Sequence, residues 1–139
     1  MIRVLLITGI FACPLQAETI MSAEEFDAYS SGSTVYFNRR GVAYGAEQYL
    51  RNRRVIWTFL DGQCQRGVWF AEGDGICFLY DGQAAAQCWH FLETGTGKAA
   101  RVIGDDPADD LIVAGQDKQP LSCPGPGVGV SFTPSIIEE

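Results

Sequence analysis

The sequence predicts a mainly β domain: a short N-terminal helix followed by an antiparallel meander, shaped as a small barrel or a sandwich, and held by two disulfides. Three observations lead there. Turn-forming residues recur about every ten positions from Ser33 onward, the rhythm of all-β domains. Sixteen glycines stand beside eight Phe, five Tyr and three Trp, a composition suited to short strands and tight turns. Four cysteines follow an N-terminal segment with the features of an export signal.

The helix comes first. Ser22-Ala23-Glu24-Glu25 reads as a capping box, in which the Ser hydroxyl and the Glu carboxylate satisfy each other's free backbone amides. Met21 and Phe26 occupy the two positions of a hydrophobic staple, and Gly32 supplies a C-terminal stop. A helix over residues 22 to about 30, lying across one end of a sheet, is expected.

Strand signals follow in order. Thr34-Val35-Tyr36-Phe37 runs into a turn at Asn38-Arg39-Arg40-Gly41, and a second run reaches Tyr49-Leu50 before Arg51-Asn52-Arg53-Arg54. Val55 to Leu60 is the strongest strand and ends at Asp61-Gly62. Gly67 to Phe70, Ile76 to Tyr80, Gln87 to Leu92, Ala99 to Ile103 and Leu111 to Ala114 complete the series. Sequential hairpins favour an up-and-down path. Asp61-Gly62-Gln63 and Asp81-Gly82-Gln83 echo each other as two similar hairpin turns.

The chain of 139 residues divides into a signal peptide (1–17), a single β-rich domain (18–123) and an irregular Pro/Gly-rich tail (124–139). Arg3 precedes an apolar run, Val4 to Ala12, that is too short to span a bilayer, and Leu15-Gln16-Ala17 offers a cleavage site. Periplasmic or secreted localisation is therefore expected. Ile10-Phe11-Ala12-Cys13 also resembles a lipobox, which would anchor the protein as a lipoprotein through Cys13.

Cleavage after Ala17 removes Cys13 and leaves an even number of cysteines: Cys64, Cys77, Cys88 and Cys123. With no CxxC spacing and a single histidine, zinc is disfavoured and two disulfides are expected. A hairpin turn at Asp81 to Ala84 would set Cys77 opposite Cys88. Cys64–Cys123 would follow by elimination, although the two other pairings of four cysteines stay open.

The net charge of −7 disfavours nucleic acid and anionic lipid as partners. His90, the single histidine, lies mid-strand beside a cysteine and reads as a sheet-face residue. No nucleophile elbow or zinc-protease motif is present, so no catalytic residue, metal or cofactor is assigned and no enzyme activity is expected. Thr94-Gly95-Thr96-Gly97-Lys98 departs from a phosphate loop and reads as a hairpin turn, and Asp105 to Asp110 reads as a solvated acidic loop. Arg39, Arg40, Arg51, Arg53 and Arg54 would form an anion- or partner-binding rim if both hairpin ends share one side of the meander. Ordinary surface charge is the plainer reading of the same residues.

Met21 to Phe26, Gly67-Val68-Trp69, and Gly75-Ile76-Cys77-Phe78 followed by Cys88-Trp89 resemble a domain-of-unknown-function family of small secreted proteins from Gram-negative bacteria. The resemblance covers about residues 21 to 92 and implies fold and location, not activity. Gly-x-Trp is also similar to a motif of lipocalins and avidin-like periplasmic protease inhibitors. In lipocalins it opens the first strand, whereas here it lies mid-chain. The functional expectation is an exported, non-catalytic binding or interaction module of the periplasm, its partner a protein or cell-envelope component. The alternatives are an inhibitor of an envelope-directed hydrolase, or a small-ligand carrier whose barrel is lined by aromatics such as Trp57, Trp69 and Trp89.

Overall fold

A computed structural model describes residues 17–123. The signal peptide (all but Ala17), the lipobox at Cys13 and the tail from 124 lie outside the described residues. A two-residue strand, β1 (Thr19–Ile20), precedes helix α1 (Ala23–Ser30). Eight strands follow: β2 (Thr34–Arg39), β3 (Val42–Tyr49), β4 (Arg54–Thr58), β5 (Gln65–Glu72), β6 (Gly75–Tyr80), β7 (Gln87–Thr94), β8 (Gly97–Val102) and β9 (Leu111–Asp117).

Each of the eight pairs antiparallel with the next, and β9 returns to pair with β2 over Thr34↔Asp117 to Arg39↔Leu111. The meander is thus a closed eight-stranded barrel, not a sandwich. An eight-stranded barrel is just wide enough for side chains or one small ligand. β6 pairs with β7 only from Gln87 to Trp89, and β1 takes up the remaining edge at Leu92 and Glu93.

Alternation along the strands sends Val35, Phe37, Tyr49, Val55, Trp69, Phe78 and Phe91 into one apolar core. The outer wall carries Arg54, Arg66, Glu72, His90 and Arg101. No described helix is long and apolar enough to cross a membrane.

The capping box forms as expected: Ser22 N–H donates to Glu25 Oε2 at 2.7 Å, and Glu25 N–H donates to Ser22 Oγ at 3.2 Å. It starts a helix only two turns long, which needs tertiary packing to persist. Phe26 supplies it. The ring is fully buried, 4.3 Å from Phe91, 5.1 Å from Trp69 and 5.5 Å from Tyr49 between centroids. The helix is therefore a plug in one end of the barrel.

Cys77 and Cys88 face each other in register and are bonded, as are Cys64 and Cys123. The second bridge ties down the segment after β9. That segment is also held by Thr34 Oγ1, which donates to the Gln119 carbonyl at 2.7 Å, and by Leu121 N–H, which donates to Gln48 Oε1 at 3.0 Å. Thr34, on the outer wall, is buried beneath it. Two disulfides indicate an oxidising environment. Several strands run a few residues beyond their expected cores, β5 over Gln65–Glu72 and β9 to Asp117 among them, whereas β4 is cut short. β4 ends at Thr58, two residues short of its expected end at Leu60, because Leu60 takes a positive φ of 63° with its N–H donating to Thr58 Oγ1.

Replacing Phe26 with Ala should lower stability by about 3–5 kcal/mol in urea denaturation, because the cavity left at the plug cannot collapse. A loss near that of an exposed residue would show that the helix does not seal the barrel. Cys64→Ala with Cys123→Ala should cost ~2–4 kcal/mol, and an unchanged midpoint would contradict the anchoring role of that bridge.

Candidate functional site

Consecutive turns of a meander alternate between its ends. The helix, the 50–53 turn, Gly73-Asp74 and Gly95-Thr96 lie at the plugged end. Arg40-Gly41 and the longer loops 59–64, 81–86 and 103–110 lie at the other. This geometry corrects the expected cationic rim. Arg39 and Arg40 sit at one end of β3, and Arg51, Arg53 and Arg54 sit at the opposite end. Three of the five are also engaged: Arg39 and Arg40 both donate to Asp109 Oδ1, at 2.9 and 2.8 Å, and Arg53 lies 4.4 Å over the Trp69 ring.

Other sequence candidates fall on the outside. His90 meets Asp74 at 3.1 Å on the outer wall. The acidic loop 105–110 is drawn into ion pairs, Asp109 with the two arginines and Asp110 with Arg101 at 2.6 Å. Glu72 lies beside Cys77 and Cys88, whose sulfurs are bonded to each other and offer no thiolate to a metal. Thr94 to Gly97 is the β7–β8 hairpin turn.

What remains is the barrel interior. Below the open end lies a cavity of about 250 Å3, small against the range typical of ligand sites. Its walls are aromatic: Phe37, Tyr44, Trp57, Phe78, Trp89 and Phe91. Trp57 and Trp89 thus line it, while Trp69 lies deeper, against Phe26. Two local features shape the walls. A bulge in β3 leaves Tyr44 unpaired, since Phe37 faces Gly45 and Asn38 faces Ala43. The bulge lets Tyr44 join the lining. Gly45 makes room for the indole, because a Cβ there would collide with Trp57 Cζ2.

Glu47 is the unexpected member. Its side chain projects from β3 into the lumen and is 4% exposed. Tyr80, from β6 across the barrel, places its hydroxyl 2.8 Å from Oε1 and 2.9 Å from Oε2. One hydroxyl proton serves only one of those oxygens at a time. Burial pushes the Glu47 carboxyl up to about 8, against a smaller opposing pull from the Tyr80 hydrogen bond. Tyr80 is raised in turn by burial and by Glu47. Tyr49 also lines the cavity; its hydroxyl is buried without a hydrogen-bond partner among the described residues, and its pKa is raised well above the ordinary phenol value by burial.

The period of two along β3 was the signal that could have located Glu47, since Gly45, Glu47 and Tyr49 share one parity. The fold and cavity together define an up-and-down β-barrel closed at one end and open at the other. No family model, curated protein or solved structure matches the chain. Function therefore rests on the site.

A carboxyl raised on folding binds its proton more tightly in the native state, so its contribution is fully present below the ordinary carboxylate range. It is lost as pH rises through about 8. Glu47→Gln removes this dependence. The variant should gain stability relative to wild type between about pH 4.5 and 8, by on the order of 4 kcal/mol across the window. Parallel stability–pH curves for the two proteins would refute the buried-acid assignment.

Proposed function

We propose that this protein is an exported, non-catalytic carrier that holds one small ring-containing ligand inside its barrel. One observation carries the reading: a closed barrel, plugged by α1 at one end, retains an aromatic-lined cavity with convergent polar groups at the other. Apolar concavities with a few fixed polar groups are the usual form of ligand sites. The single histidine stands on the outer wall, away from this cavity, which supports a binding role over acid–base chemistry. The signal-like segment 1–17 and the two disulfides support a periplasmic or secreted location. A docking role for an arginine rim loses its basis, because the arginines are divided between the two ends.

Trp57 and Trp89 make the cavity optically addressable. Adding 2-phenylethanol should change tryptophan emission saturably. Ala100→Phe, which fills the space from a buried lining position, should abolish the response while the protein stays folded. A linear, non-saturating response identical in both proteins would sink the carrier reading.

A further inference from the structure

We infer that the ligand is a small organic cation, a protonated amine seated on the Glu47 carboxylate and enclosed by the aromatic walls; this rests on the carrier reading above. The charge around the cavity points this way. Glu47, Asp105 and Asp109 line it, against one basic group, Arg39, and Arg39 is already paired with Asp109. Within the lumen, Glu47 faces Tyr80 from β6 and has Tyr49 beside it on β3, so the groups around it are phenols and not cations. A buried carboxylate is costly without a partner charge. An ammonium group supplies that charge and has three N–H donors. One of them serves the Glu47 oxygen that Tyr80 leaves without a proton. Faces of Trp57, Tyr44, Phe78 and Trp89 attract positive charge, most strongly where water is excluded. An anionic ligand would meet the opposite: a buried acid, Asp105 at the mouth and electron-rich rings, with Asp109 already balanced by Arg39 and Arg40.

Binding is then coupled to a proton. Without a cation beside it, the Glu47 carboxyl keeps its proton at neutral pH. The step is Glu47–COOH plus R–NH3+ giving the ion pair Glu47–COO−·R–NH3+, with the proton released to solvent. Amine affinity should rise with pH up to about 8 and then level off. Tyr49 and Tyr80 stay protonated across that window. At the mouth Arg39 and Asp109 stay charged, the pair holding the guanidinium up and the carboxyl down.

The test uses three probes with one ring: phenethylamine, 2-phenylethanol and phenylacetate. Isothermal titration calorimetry of the wild-type protein at pH 7, repeated in buffers of different ionisation enthalpy, should show at least tenfold tighter binding of the amine. It should also show release of about one proton per amine bound, but none with the alcohol. Glu47→Gln should lose the amine preference and the proton release. The proton count on the wild type keeps the inference falsifiable should the variant not fold. Equal affinities, or preference for phenylacetate, would overturn the cation and leave the carrier reading standing. Failure of all three to bind would overturn both.

Discussion

Pairing of β2 with β9 gives every strand of the barrel two hydrogen-bonded neighbours, and Phe26 of α1 then seals one end against Tyr49, Trp69, Phe78 and Phe91. The remaining features follow from this closure. Without it, Glu47 would stand on one face of an open sheet, hydrated and ordinary. With it, β3 and β6 are brought across a common lumen, and Glu47 meets Tyr80 from three strands away. The plug also makes the interior asymmetric. Rings fill the end beneath the helix, while the longer loops leave the other end open. The edge problem of a β-sheet and the creation of a binding chamber thus have one solution.

The interior joins two elements that usually conflict. A wall of aromatic rings lowers the local polarity, and a carboxyl within it resists ionisation. Replacing Glu47 and Tyr80 together with apolar residues of similar size would make a more comfortable core. A polar group kept there at a cost in stability is what a binding site would require, and a bare scaffold would not. Gly45 and the bulge at Tyr44 belong to the same trade. Each weakens β3 locally, and each gives the aromatic wall the shape it has.

The local features were legible from the sequence because their causes are local. The capping box at Ser22 and Glu25, the turn rhythm, and the Cys77–Cys88 register all depend on residues close in the chain or joined by one hairpin. Closure was not legible to the same degree: barrel and sandwich share the same turn spacing, and the β2–β9 pairing joins residues some eighty apart. The arginine rim failed on counting. Arg40 and Arg51 are separated by one strand, and a single strand carries the chain from one end of a meander to the other. Glu47 was hidden for a different reason. Ala46 and Glu47 are both buried, so burial alone does not distinguish the parity of β3. Only the Tyr49 ring, locked against Phe26 and Phe78, settles which residues look inward.

The central claim is that closure holds an acid in an aromatic chamber. Carbon-13 NMR of the protein labelled at its glutamate side-chain carboxyls measures this residue by residue. One resonance should titrate near pH 8, assigned to Glu47 by its disappearance in Glu47→Gln, with Glu25 held below the ordinary range by its two Ser22 hydrogen bonds. A Glu47 carboxyl titrating with the exposed glutamates would mean that water reaches it freely, and the chamber described here would not exist.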